Sequence, residues 1–283
     1  MKINNMQGAI IVNKAPDMTS RDVINILNKK FNTKSIGHTG TLDPIAEGVL
    51  VCLIGKYTKL TDILINHDKE YIASFKLGIL TDTLDITGKI LKEEKINLTK
   101  EEIQKTIHSF KGTYNQEVPI YSAVKINGKK LYEYARNNEE ITLPKRKVNI
   151  YDIELLNIDN DIITIKTKVS KGTYIRSLIR DIGLKLKTNA TMTKLIRTKL
   201  DKFTIEESYT LEDIQNDNYK LLSLEDLINL DTININEEML FKIKNGQIID
   251  YQTNKYILYK YNNQDIALYK PYQNNKIKPF IMF

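Results

Sequence analysis

Residues Ser35 to Leu50 read SIGHTGTLDPIAEGVL. Gly37, Gly40, Pro44 and Gly48 surround the carboxylate of Asp43, and His38 precedes it by five positions. An aspartate used singly can act as a nucleophile or a base. Glycoside hydrolysis instead calls for a pair of carboxylates, and a structural metal site for four ligands. Two readings of the stretch stand side by side. Asp43-Pro44 has the form of a helix start, with Asp at the cap and Pro at the first helical position. Alternatively, the glycines admit backbone close to a bulky ligand, and Pro44 holds Asp43 extended and so aims its side chain.

Other chemistry-bearing patterns are missing. No G-x-G-x-x-G or G-x-S-x-G occurs, and the GKYTK that starts at Gly55 has Leu50 where a phosphate loop needs glycine. The histidines His38, His67 and His108 and the one cysteine, Cys52, fall at no metal-ligand spacing, so neither a metal nor a cofactor is expected. The single cysteine excludes an internal disulfide, and within VLVCLIG it reads as a buried small hydrophobe.

The elements that must hold Asp43 come next. GAIIVNK reads as a buried strand, and TSRDVINILNKKF as a helix capped by Thr19 with Asp22, its face made of Val23, Ile26, Leu27 and Phe31. EYIASFKLG alternates, with Tyr71, Ala73, Phe75 and Leu77 on one side. LTKEEIQKTIHSFKG is a helix capped by Thr99 with Glu102, striped by Ile103, Ile107 and Phe110 and stopped at Gly112. Asn127-Gly128 marks a turn. Residues 147 to 169 read as two strands joined at DND. In GTYIRSLIRDIGLKL, Ile175, Leu178, Ile179, Ile182 and Leu186 form the apolar stripe, and Arg176 and Arg180 lie off it. From about Asp231 short alternating strands rich in tyrosine suggest a β-rich appendage. The mixture without regular βαβ alternation predicts an α+β fold with a largely antiparallel sheet.

Composition bounds the class. The chain has 283 residues, 41% hydrophobic and 27% charged, which is ordinary for a globular protein. A net charge of +7 suits a polyanionic partner. The longest apolar run, Val49 to Ile54, is too short to span a bilayer, and the first residues show no signal-peptide pattern; the cytoplasm is the expected location.

Four segments, in order, carry a family resemblance: GHTGTLDP, HDKEYIASFKLGILTDTLDITG, PIYSAVKINGKKLYEYAR and SKGTYIRSLIRDIG. They resemble the motifs of the TruB family, bacterial tRNA pseudouridine synthases that modify uridine 55 of the T-loop. The resemblance implies the pseudouridine synthase fold, with a catalytic domain over residues 1–228 and a small PUA-like RNA-binding segment over 229–283. It makes Asp43 the catalytic aspartate, Tyr71 the active-site tyrosine and Arg176 the partner of Asp43. It puts Tyr174 and Leu195 at the uridine site, His38 against the T-loop, and Lys14 in an N-terminal Lys-Pro motif. The sequence departs from that motif, with Ala15 in place of Pro and Asp17 in place of Gly. Lys14 is taken as an RNA contact, as are Lys129, Lys130 and Arg136 of the basic, tyrosine-rich segment.

The implied reaction breaks the bond from ribose C1′ to uracil N1, turns the base and joins C1′ to C5. It adds no atom and transfers no electron, so one carboxylate suffices. Asp43 could attack C1′, add to C6 or take the C2′ proton, and the residues leave these open. An opposite charge within ~4–6 Å favours an ionised carboxylate, which is the task the resemblance gives Arg176. The target base must be flipped out of its stack. The expected partner is tRNA alone, without guide RNA or protein partner, and the chain is taken as a monomer. The alternative is a non-catalytic tRNA-binding or folding protein on the same scaffold.

Overall fold

The computed structural model describes residues 6–65 and 67–283. Residues 1–5, part of the stretch read as lacking a signal peptide, lie outside it. The chain opens with β1 (Gly8–Lys14), helix α1 (Ser20–Lys30), β2 (Ile36–His38) and β3 (Glu47–Ile54), then a 3-10 turn and α2 (Thr61–Leu64). β4 (Lys69–Leu77) leads into the hairpin β5 (Ile79–Thr81) and β6 (Ile90–Glu93), then α3 (Lys100–His108) and β7 (Gly112–Glu117). A second hairpin, β8 (Lys125–Ile126) and β9 (Lys129–Lys130), runs into α4 (Leu131–Arg136). The long pair β10 (Lys145–Asp159) and β11 (Ile162–Val169) precedes α5 (Ile175–Lys185), β12 (Ala190–Leu200) and β13 (Phe203–Thr204). Short helices α6 (Leu211–Gln215) and α7 (Leu224–Leu227) lead to β14 (Leu230–Asn234), α8 (Glu237–Lys244), β15 (Ile249–Asp250), β16 (Tyr256–Tyr261), β17 (Gln264–Tyr272) and β18 (Lys276–Met282).

The central sheet runs β1-β3-β12-β4-β11-β10-β7, with β2 added to β3 and β13 to β12. Its pairings are antiparallel except where β12 meets β3, at Ile196–Glu47 and Arg197–Gly48. That parallel contact is short because β3 gives the same edge to β2 further along, from His38 against Cys52 to Ile36 against Ile54.

Period-2 alternation splits β1 and β3 between two cores. Ile10, Val12, Leu50, Cys52 and Ile54 join Tyr71, Ala73 and Phe75 of β4 and the apolar faces of α1, α3 and α5. Ala9, Ile11, Val49, Val51 and Leu53 face the other way, onto Leu258, Leu268 and Ile281 of the C-terminal sheet. β3 is therefore apolar on both faces, and Cys52 is fully buried within it, which pushes its thiol pKa up.

Local signals set the element ends. Thr19 with Asp22 and Thr99 with Glu102 form capping boxes, and Asn127 and Gly128 take positive φ in the β8–β9 turn. β4 alternates over its whole length, which puts Lys69 on the buried side with Tyr71. Two expectations need correction. Ile24, not Ile26, is the isoleucine that α1 buries, because Ile24 turns towards the sheet beside Val23. No helix follows Asp43-Pro44: Ala46 N–H closes a turn on the Asp43 carbonyl at 3.0 Å, and Gly48 then enters β3. The appendage is β-rich as expected, a five-stranded sheet, and adds one helix, α8, capped by Asn236.

Candidate active site

Asp43 sits in the loop from β2 to β3, and three elements fasten that loop. From α1, buried Ser20 accepts the Leu42 N–H at 2.9 Å and donates to the Leu42 carbonyl at 3.2 Å. From β1, the Lys14 ammonium donates to the Pro44 carbonyl at 3.2 Å and to those of Ala15 and Met18 at 2.8 and 2.7 Å. From β12, Arg197 donates to the carbonyls of Val49 at 2.7 Å and Gly40 at 3.1 Å. Gly48 lies opposite Arg197 with φ +105°, and a Cβ there would stand 2.3 Å from the Arg197 carbonyl oxygen. Here the backbone needs glycine for its conformation and for its lack of a side chain.

So held, Asp43 meets Arg176 from the first turn of α5. Nε reaches Oδ2 at 2.8 Å and Nη2 reaches Oδ1 at 3.1 Å, a bidentate pair. The guanidinium is itself fixed: Nη1 donates to the Thr83 carbonyl at 2.9 Å and Nη2 to that of Tyr121 at 3.0 Å. Asp85 Oδ2 stands 3.8 Å from Nη1. The Asp85 carboxylate is anchored by the Thr87 N–H at 3.1 Å and the Thr83 hydroxyl at 2.9 Å. Backbone bonds between Ile86 and Met192 and between Met192 and Leu84 dock this loop on β12. Arg176 is 5% exposed, so its place off the apolar stripe leads into the protein and not to solvent. The Asp43 side chain keeps 33% exposure, open to an incoming reactant.

The opening is a cavity of about 520 Å³, within the usual size of a small-ligand site. Asp43, Tyr71, Tyr174, Arg176 and Leu195 all line it, so five residues from distant parts of the sequence converge on one space. Tyr71 comes from β4, and register places it between Thr167 of β11 and Arg197 of β12. Leu195 projects from β12, and Tyr174 occupies the cap position of α5. Lys69 also lines the cavity; it donates to the carbonyls of Ile65 and His67, and burial pulls its pKa down to about 8.

The other expected contacts lie around this space. His38 is half-buried beside the loop, and its Nδ1 accepts the Gly40 N–H at 3.3 Å. Burial, then Arg197 and Arg21, lower its pKa, so the ring is neutral. Lys14 is a correction: it is fully buried with its ammonium on three carbonyls, which leaves no face for a phosphate. Burial lowers its pKa to about 8. Lys129, Lys130 and Arg136 stand at the β8–β9 hairpin and α4. Lys129 lies over Tyr134, and Lys130 and Arg136 lie over Tyr132, itself on the cavity wall. The basic segment thus borders the cavity mouth. Ser20, Asp85 and Arg197 were not singled out as site residues. Only Arg197 carried a readable signal: two positions after Leu195 on a strand, it must share that residue's face. Glu47, the second carboxylate of the loop, turns away to Lys194 at 3.1 Å.

This sheet with its aspartate loop is the pseudouridine synthase fold. Residues 28–175 match the family model described as TruB family pseudouridylate synthase (N terminal domain), and residues 176–232 match that of the tRNA pseudouridylate synthase B C-terminal domain. The chain belongs to the TruB family. It is 41% identical to the tRNA pseudouridine synthase B of Caldanaerobacter subterraneus subsp. tengcongensis, covering 98% of this chain and 99% of that one. With the protein of the same name from Clostridium tetani it shares 44% identity, over 96% of this chain and 93% of the other. Among solved structures it resembles a chain of a Cbf5-Nop10-Gar1 complex, with TM-score 0.69 and 22% identity, covering 100% of this chain and 86% of that one. A chain of an H/ACA RNP bound to a substrate RNA containing 2′-deoxyuridine gives TM-score 0.68 at 23% identity, over 97% and 83%. At these identities the two structures speak for the fold.

Proposed function

We propose that this protein converts uridine 55 in the T-loop of tRNA to pseudouridine, with Asp43 as the only catalytic carboxylate. One observation carries the reading: the bidentate Asp43–Arg176 pair faces a cavity walled by Tyr71, Tyr174 and Leu195. Arg176 pairs with the carboxylate and directs it without taking its exposed side. A flipped uracil enters between the tyrosine faces and the Leu195 side chain, and stacking offsets part of the few kcal/mol that flipping costs. Asp43 then reaches the nucleotide at C1′, C6 or the C2′ proton. Tyr71 stacks on the ring, and its phenol is a candidate to assist loss of the C5 proton. Lys129, Lys130 and Arg136 grip the RNA backbone beside the cavity, and His38 fills space left by the flipped base.

In this reading the catalytic unit covers residues 1–228, and residues 229–283 add a small RNA-facing segment. The chain works as a cytoplasmic monomer, without guide RNA or protein partner. The test is tritium release from C5-labelled uridine in an unmodified tRNA transcript by the purified protein alone. Release is expected, and it is lost with D43N or when position 55 is changed to cytidine. Wild-type turnover by D43N overturns the catalytic assignment. Tight tRNA binding without release would instead make the protein a tRNA-folding factor.

A further inference from the structure

We propose that Gln116 is a positioning residue for this site: its amide fixes the peptide of Tyr174 and thereby sets where Tyr174 and Arg176 stand relative to Asp43. The proposal rests on the reading of Asp43 and Arg176 given above.

Helices α1, α3 and α8 each start on a side chain that accepts a hydrogen bond from their own first turn, from Thr19, Thr99 and Asn236. Such caps satisfy N–H groups that the helix leaves open. α5 has none, because its cap position is taken by Tyr174, whose ring lines the cavity. The cap residue itself is held instead from another strand. Gln116 is fully buried on β7, the end strand of the central sheet. Its Oε1 accepts the Tyr174 N–H at 2.8 Å, and its Nε2 donates to the Tyr174 carbonyl at 3.1 Å. A side-chain amide thus meets the residue on both its donor and its acceptor, as a neighbouring strand would.

The second proton of Nε2 goes to the Tyr114 hydroxyl at 2.7 Å. That hydroxyl is bonded to Asp181, which also holds Arg180 at 2.8 Å. Next to Gln116, the Glu117 carbonyl takes the Ser177 hydroxyl at 2.8 Å, and its carboxylate takes Arg180 at 3.1 Å. Successive residues of β7 therefore hold the N-terminal half of α5. Gln116 makes the contact that bears on Tyr174, two residues before Arg176. A glutamine amide supplies a donor and an acceptor at once and at any pH. A shift of about 1 Å in reacting groups can cost on the order of 10²-fold in rate.

The test uses the full chain with a tRNA transcript and two variants, each read as a ratio to wild type at the same pH. Q116M removes both polar atoms at similar volume. It is expected to lower kcat at least about tenfold while KM for tRNA stays within roughly threefold. Q116E keeps the donor–acceptor pair only while protonated; the anion would face the Tyr174 carbonyl. The ionisable groups around it are Tyr114 on its own strand, Glu117 beside it, Arg146 opposite it on β10, and Arg180 and Asp181 on α5; Arg180 is already bound to both carboxylates, and Arg146 lies over the Tyr174 ring. Burial favours the neutral acid, so the Q116E ratio should approach one near about pH 5.5 and fall as pH rises. A Q116M kcat within about threefold of wild type, or a Q116E ratio that does not change with pH, overturns the proposal. A Q116M variant that fails to fold leaves the Q116E profile to decide. An active D43N would instead remove the reading beneath it, whatever Gln116 does.

Discussion

Consider the removal of one guanidinium, as R176M. Three partners lose their donor, the Asp43 carboxylate and the carbonyls of Thr83 and Tyr121, and the Asp85 carboxylate loses the cation beside it. Asp43 is one-third exposed and can turn to water. Asp85 is 6% exposed and cannot. Breaking a buried ion pair from one side costs about 3–5 kcal/mol, and the exposure of Asp43 places this case near the lower end. A loss of about 3 kcal/mol corresponds to a Tm lower by roughly 6–10 °C in a chain of this size. Turnover should fall by on the order of 10²-fold or more, because the carboxylate loses both its charge partner and its direction. The assays are thermal unfolding by circular dichroism and tritium release under single-turnover conditions. The double variant D85N/R176M separates the two effects. It relieves the stranded Asp85 charge yet keeps an acceptor for the Thr87 N–H, so it should recover part of the stability and none of the turnover. The reasoning fails if R176M melts within about 2 °C of wild type, or if the double variant regains activity.

Glu94 accepts Thr188 and Asn189 and pairs with Lys92, and these bonds, Lys92 first, hold its pKa down at about 2. The folded value lies below that of the unfolded chain, so the stabilisation is present above about pH 4.5 and is lost as pH falls towards 2. Urea midpoints of wild type and E94Q should therefore converge as pH is lowered from 5 to 3, and a constant gap would contradict this. Replacing Lys129, Lys130 and Arg136 together by alanine should weaken tRNA binding and flatten the slope of log K against log salt by roughly 2 to 3. Filter binding at several salt concentrations reads this, and an unchanged slope removes these residues from the RNA contact.

Much of the scaffold was legible because its signals are local. A Thr with an acid three residues on, an Asn-Gly pair and nine alternating residues act within one element, and each recurs in the structure as read. The convergence of Asp43, Tyr71, Tyr174, Arg176 and Leu195 followed from family motifs and not from spacing. What escaped notice was the supporting polar layer. Ser20, Arg197 and Gln116 are each bound to backbone groups far along the chain. A carbonyl has the same chemistry on every residue, so the partner leaves no trace in the sequence. Lys14 misled for the same reason, since a lysine bound for three carbonyls looks like one bound for phosphate. The Asp43-Pro44 helix start failed because Gly48 and the apolar run after it demand a strand within four residues. α8 was missed differently: its Asn cap, acidic start and basic end were present, but the surrounding tyrosine-rich strands dominated the pattern.

The two-faced burial of β3 bears on how the protein comes off the ribosome. One face of the strand that follows Asp43 is covered by Leu258, Leu268 and Ile281, supplied by the last three strands. A nascent chain that has already made every residue of the cavity leaves the core around Val49, Val51 and Leu53 incomplete until those strands emerge. Until then the strand that follows the aspartate loop is fully packed on only one of its two faces. The C-terminal sheet is thus a wall of the same core that β3 builds, and the site's backing is shared between segments about two hundred residues apart.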